Sequence, residues 1–384
     1  MNSVEILERL ISFPTVSRDS NLDLISYVSD FLEERGIRTH RVFNDEHSKA
    51  NLFASVGPAG KSGVMLSGHT DVVPVDGQDW SVDPFCMSFR GGRFYGRGTA
   101  DMKGFVACAM RAAAIAARRT LKTPLWLSFS YDEEIGCIGV RRLIDEMSAE
   151  GMHPRMCIVG EPTSMRVANG HKGKTSLQAT CRGREAHTAY APKALNALHL
   201  ACDLVSVLRQ AQARIRTDGV TDSGYEIPYT TIHAARITGG MAPNIVPGHS
   251  KVDFEIRNIA RDDPADIIAG LEAEAGKLVN SARELASEAE ITIRSLNSYP
   301  GLDTPPDDPA SLFVQSLVGQ QVADKVAFGT EGGLFARDLD TPAVICGPGS
   351  MDQGHKPDEY VEADQIGLCE QMMFRLVDRL EEGL

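Results

Sequence analysis

Histidines and carboxylates recur in this chain inside short, mostly glycine-bearing segments that together could hold two metal ions and a base. The segments are Ser67-Gly-His69-Thr-Asp71, Gly96-Arg-Gly-Thr-Ala-Asp101-Met-Lys-Gly104, Asp132-Glu133-Glu134, Gly160-Glu161-Pro162 and Gly354-His355-Lys-Pro. Imidazole nitrogens and carboxylate oxygens without thiolates make borderline-to-hard sites that suit Zn²⁺, Co²⁺ or Mn²⁺. Two such ions about 3.5–4 Å apart need a bridging carboxylate, terminal ligands for each, and an open position for water. The inventory provides a histidine and a carboxylate for each ion, one carboxylate between them, and one more to act as base. Glu133 and Glu134 are adjacent and repel each other unless a cation separates their roles, so one can ligate while the other serves as general base. His69 and Asp71 lie two apart, which on extended backbone points both the same way. Asp71 is therefore expected to accept the second imidazole N–H and fix its tautomer. The chemistry that follows is metal-dependent hydrolysis.

Residues so far apart can meet only if a sheet gathers them. Strand-like runs cover 51–56, 63–67, 125–130, 156–159 and 341–346, and helical periodicity covers 3–12, 21–35, 102–118 and 138–150. That alternation predicts an α/β layer fold, a mostly parallel mixed sheet with helices on both faces. His69, Glu133, Glu134, Glu161 and His355 each follow one of these strands, at the carboxyl ends where such sheets build their sites. The middle of the chain reads differently: strand 174–182, helix 193–214, strands 229–238 and 251–257, helix 263–286, strand 291–295. This β-α-β-β-α-β order is the ferredoxin-like unit. It closes on itself and predicts an insertion at 174–297 into a catalytic domain formed by 1–173 and 298–384.

Composition narrows the partners. The chain has 384 residues and a net charge of −13, with 42% hydrophobic and 24% charged residues. A soluble globular protein of two domains fits these values. The acidic balance argues against nucleic acid, which demands basic patches. The start, Met-Asn-Ser-Val-Glu-Ile-Leu, reads as an amphipathic helix capped by Ser3 and not as a secretory leader. The most apolar stretch, 104–117, contains Arg111 and is too short to span a bilayer. A cytoplasmic location is expected. The eight cysteines show no CxxC spacing and read as buried reduced thiols, Cys108, Cys157, Cys202 and Cys346 among them. Cys137, just after the paired glutamates, is the one thiol placed to reach a metal, and even there packing is the favoured reading.

On these segments the chain resembles the M20 family of dimetal amidohydrolases over essentially its whole length. The resemblance implies that His69 and Glu161 hold one ion, Glu134 and His355 the other, that Asp101 bridges them, and that Glu133 is the base. It also implies a cis peptide between Asp101 and Met102. Three segments of the middle region resemble motifs of the family's lid. Gly183-Arg-Glu-Ala-His187 is similar to the segment whose histidine reaches the active site of the opposite subunit, which implies a homodimer formed through the lid. The segment Gly239-Gly-Met-Ala-Pro-Asn244 resembles the one whose asparagine faces substrate. Phe254-Glu-Ile-Arg257 resembles the strand whose arginine clamps a substrate carboxylate.

Asp132-Glu-Glu-Ile-Gly-Cys-Ile-Gly-Val-Arg141 and Gly160-Glu-Pro-Thr163 read most like the acetylornithine deacetylase branch. Gly329-Thr-Glu331-Gly-Gly333 stands where the desuccinylase branch has Gly-Thr-Ser-Asp-Gly, and Glu331 either meets a cationic substrate tail, with Gly333 beside it, or only shapes the glycine-rich loop. The resemblance implies two Zn²⁺ or Co²⁺ ions and removal of acetyl from a small N-acyl amino acid, N2-acetyl-L-ornithine foremost, as in arginine biosynthesis. Rival readings are another M20 deacylase, such as a succinyl-diaminopimelate desuccinylase or a general N-acylamino-acid deacylase, or a dipeptidase. A rival from a different class is an inactive ligand-binding relative.

Overall fold

The computed structural model describes residues 1–384, which divide into two compact units. The first comprises Met1–Gly170, Leu302–Val326 and Thr330–Leu384; the second comprises His171–Gly301 with Ala327–Gly329.

A nine-stranded mixed sheet organises the first unit. At its centre Leu125–Ser130, Val64–His69, Met156–Pro162 and Ala343–Gly347 lie parallel and in that order, and every residue in them is buried. Full burial requires cover on both faces, and the unbroken apolar runs of these strands are the sequence's statement of it. Antiparallel strands finish the sheet, with Ala50–Val56 and Thr39–Phe43 on one side and Ala168–His171 on the other. The alanine-rich helix Lys103–Ala116 is buried along most of its length and packs against Ser3–Ile11 and Ala363–Glu382. Small side chains there permit close approach: a Cβ added to Gly160 would fall within 1.9 Å of the Phe105 ring, so the helix and the Glu161 strand can touch only with glycine at that position.

The first helix begins one residue earlier than its sequence suggests. Asn2, not Ser3, is the N-cap: its side chain accepts from the Glu5 N–H while Glu5 reaches back to the Asn2 N–H. Ser3 is buried inside the first turn.

The second unit has the β-α-β-β-α-β order. Its four-stranded antiparallel sheet contains, in spatial order, Thr231–Gly239, His249–Asn258, Gly173–Arg182 and Glu290–Tyr299. Gly173–Arg182 and His249–Asn258 alternate buried and open residues along their length, the mark of a sheet with one covered face. Leu177, Ala179, Val252, Phe254 and Ile256 form that covered face with Leu200, Leu204 and Leu208 of the helix Ala197–Asp218. The helix, expected from 193, opens at Ala197, where Asn196 caps it through the Leu198 N–H; 188–193 is a separate 3-10 turn.

All eight cysteines are free. Cys202 departs from the expectation of burial: it is exposed, one residue past the buried Ala201 on the outward stripe of its helix. Cys86 is exposed as well.

Candidate metal centre

Six side chains of the first unit converge at the carboxyl end of the parallel strands. His69 is the last residue of its strand and Glu161 the penultimate residue of its own. Glu133 and Glu134 lie just past Leu125–Ser130, in a turn closed by the Gly136 and Cys137 N–H groups on the Glu133 carbonyl. Asp101 precedes the long helix, and its peptide to Met102 is cis. His355 sits in the irregular stretch after Ala343–Gly347, with φ of 63°.

Asp101 stands between the two histidines. Its Oδ1 lies 2.9 Å from His69 Nε2 and its Oδ2 3.1 Å from His355 Nε2. Glu161 lies 3.9 Å from His69 Nε2, and Glu134 lies 3.0 Å from His355 Nε2. These separations fit two ions. Two atoms each about 2.1 Å from one tetrahedral cation are roughly 3.4 Å apart, and the four distances lie around that value. His69, Glu133 and Glu161 form one group able to hold a metal, and His69, Asp101 and Glu134 a second.

Electrostatics points the same way. Burial holds the carboxyls of Glu133 and Glu161 well above the usual carboxylate range, and it pushes Glu134 up to about 7. The neighbouring carboxylates reinforce each of these shifts, while His69 opposes them. His355 is raised to about 10 by its hydrogen bonds to Asp101 and Glu134. Burial would raise Asp101 too, but hydrogen bonds from His355 and His69 keep it below its ordinary value. One oxygen, Glu134 Oε1, is buried with no hydrogen-bond partner. Crowded carboxylates facing two imidazoles, with a buried oxygen left over, suit divalent cations. The donor set fits a dimetal site.

Asp71 works differently from its expected role. The second nitrogen of His69, Nδ1, bonds the Asp71 backbone carbonyl at 2.8 Å, whereas the Asp71 carboxylate is 3.6 Å away. The strand ends at His69, so the alternation that would aim both side chains alike stops there. The carboxylate instead accepts the backbone N–H groups of Glu133 at 3.1 Å and Glu134 at 3.3 Å, and the Ser17 hydroxyl at 2.7 Å. One residue thus orients the imidazole through its carbonyl and the two glutamates through its carboxylate.

Glu331 is a correction. It is 1% exposed, with its oxygens on the hydroxyls of Ser130 and, at 3.2 Å, Ser67. A side chain buried between two strand ends is closed to a substrate tail, so the expectation of a cation partner fails. Burial raises its pKa to about 7. Gly333 is buried in the short helix Gly332–Asp338 that follows. Cys137 is no metal ligand in this arrangement; its thiol donates to Glu133 Oε1 at 3.3 Å, and burial pushes its pKa up.

His187, Asn244 and Arg257 belong to the second unit. His187 is exposed and pairs in a two-residue ladder with Ile245, while the Asn244 carbonyl accepts the Thr188 N–H. Arg257 is half-buried, with its Nε 3.0 Å from Glu255 Oε1.

Sequence reading missed Lys49, whose ammonium meets Asp132 at 2.6 Å and so braces the turn bearing Glu133 and Glu134. Nothing in its local sequence marks it. It missed Arg97 and Glu359 as well, although Arg97 sits inside the Gly96–Gly104 segment and Glu359 two residues past Gly354-His355-Lys-Pro.

The fold and the donor set are those of a metal-dependent hydrolase with a candidate two-ion centre. The model of peptidase family M20/M25/M40 matches residues 65–379, and the chain belongs to that family. It is 30% identical to an acetylornithine deacetylase of Pasteurella multocida, over 99% of this chain and 98% of the relative. It is equally similar, at 30%, to an acetylornithine deacetylase of Shigella sonnei, over 97% and 96%. Among solved structures, an M20 family metallo-carboxypeptidase from Sulfolobus solfataricus superposes with a TM-score of 0.80 at 18% identity, covering 100% of both chains. A dinuclear metal-binding M20 peptidase from Bacillus subtilis gives 0.70 at 13%, covering 100% of this chain and 98% of the other. No helix is long and apolar enough to cross a membrane.

Proposed function

We propose that the protein hydrolyses the amide of an Nα-acetylated amino acid, N2-acetyl-L-ornithine foremost, releasing acetate and L-ornithine. The observation that supports this most is 30% identity to two acetylornithine deacetylases along nearly the whole chain. The full set of ligands and the base speak against an inactive relative. The proposal places the enzyme in the cytoplasm, in arginine biosynthesis, as a homodimer joined through the 174–297 region.

His69 and Glu161 would hold one ion, Glu134 and His355 the other, and Asp101 both; Zn²⁺ or Co²⁺ suits these donors. When bound, the ions polarise a carbonyl oxygen and acidify water. Glu133 takes the proton from the attacking water and delivers it to the leaving amine. Burial holds the Glu133 carboxyl above the usual carboxylate range, the direction that lets one group serve first as base and then as acid. Arg257 offers a planar fork for the substrate's α-carboxylate. Asn244 faces substrate, and His187 from a second copy supports the oxyanion.

A panel of N-acyl amino acids and dipeptides, ranked by kcat/KM, tests the reading. Acetylornithine should lead. A dipeptide or succinyl-diaminopimelate in first place would replace the substrate assignment while leaving the hydrolase intact.

A further inference from the structure

Arg97 and Glu359 form a buried ion pair of 2.6 Å with side-chain exposures of 1% and 0%, and they join two loops that the ligand set needs. Glu359 Oε1 accepts three backbone N–H groups, from Gly98 at 3.1 Å, Ala100 at 3.0 Å and Asp101 at 3.1 Å. The Glu359 carbonyl accepts the Gly96 N–H at 3.0 Å. One residue therefore fixes the turn that aims Asp101.

Arg97 works on the other loop. Its guanidinium donates to the Lys356 carbonyl at 3.3 Å and to Gln78 Oε1 at 2.6 Å. The Gln78 amide in turn donates to the His355 carbonyl at 3.1 Å. Trp80 lies beneath the guanidinium, 5.0 Å from ring centroid to carbon, and its indole N–H also meets Gln78 Oε1. The His355 backbone has no ladder to hold it: the segment around it is turn and bend, and the imidazole is 43% exposed.

We infer that the Arg97–Glu359 pair positions Asp101 and His355 relative to each other, and so governs binding of the ion held by Glu134 and His355. This rests on the two-ion reading of the site. Neither residue touches the ion. Both act through the backbone of ligand-bearing loops. Asp101 is shared by the two ions, but His69 and Glu161 are set in strands, so the ion they hold depends on the pair less than the ion that also needs the His355 loop.

Titration of the metal-free full-length protein with Co²⁺, followed by calorimetry and visible absorption, tests this. The wild-type chain should bind two Co²⁺ ions with distinguishable affinities. Glu359→Gln keeps an oxygen for the three N–H groups but weakens the pairing, and Arg97→Lys loses the fork. Each should weaken one ion at least tenfold and move the other less than threefold. His355→Ala marks the ion affected, and adding Arg97→Lys to it should produce no further loss. Equal weakening of both ions, or an additive double variant, would reduce the pair to general scaffolding and overturn the inference. Unchanged binding in folded variants, checked by circular dichroism, would overturn it as well. A wild-type chain that binds fewer than two ions would overturn the two-ion reading itself, a failure visible before any variant is made.

Discussion

The two sheets of this chain handle charge in opposite ways. In the first unit, Val64–His69, Leu125–Ser130 and Met156–Pro162 are buried throughout, and the charged groups wait at or past their ends. There Glu133, Glu134 and Glu161 crowd together with raised pKa values, and the positive charge available to them comes from two imidazoles. In the second unit, charges stand in the open, on the sheet's uncovered side or in the loops between strands. Arg236 meets Asp253 at 2.7 Å with the arginine 70% exposed, and Arg184 meets Glu288 at 2.7 Å with 39% exposure. Those groups are neutralised in place and remain in water, where such pairs contribute little. Carboxylates gathered in the dry end of a two-sided sheet have no such solution. They are left in need of cations, and that need is what makes the site.

Stripping the metal should break this contrast most visibly. A chelator should abolish turnover and lower Tm. Saturating Zn²⁺ or Co²⁺ should restore both, at about 4 kcal/mol for an ion a thousandfold above its Kd. The pH dependence has a definite sign. Folding raises the pKa of Glu134 and Glu331 from 4.5 to about 7. Groups raised by folding stabilise the fold below their unfolded pKa and lose that contribution as pH rises through the folded one. The metal-free chain should therefore lose stability between roughly pH 4.5 and 7. Binding requires deprotonated ligands, so the metal-loaded chain should gain over the same window. Parallel Tm–pH curves with and without metal would contradict the account.

Arg257→Lys should come next. On the proposed reading it loses a bidentate carboxylate pair and about 1.5–3 kcal/mol of transition-state binding, measured as kcat/KM on every N-acetyl amino acid alike. Metal content should not change, which separates the second unit's contribution from the first's. Glu331→Gln should be smaller still, about 1–2 kcal/mol in unfolding free energy through the hydroxyls of Ser67 and Ser130. Because the side chain is buried, acetylornithine and acetylmethionine should lose turnover in equal proportion; a selective loss on the cationic substrate would return Glu331 to the pocket.

Five of the six candidate residues were legible because each follows an apolar run, and Asp101 through its glycine-bearing segment; the six side chains do meet. The ferredoxin-like order was legible for a similar reason, since alternation in Lys174–Arg182 and Lys251–Arg257 announces a one-faced sheet. What stayed hidden is how charged groups partner inside the fold. Arg97 and Glu359 lie 262 residues apart and are spelled with the same letters as surface charges. Glu331 followed a branch-like motif, yet its fate was set by two serines on distant strands. Asp71 was aimed by strand periodicity, but the strand ends at His69, two residues short of it. The edge strand Thr39–Phe43 and the closing helix Ala363–Glu382 also went unread.

The division of labour between neighbours Glu133 and Glu134 carries the account, and Glu133→Gln tests it most directly. The variant keeps the shape of the side chain and removes the base. Metal per chain, measured on the same preparation as acetate release from acetylornithine, should stay at two ions while turnover falls by about 10²–10⁴. A variant that loses an ion, or that retains most of its turnover, would contradict the assignment.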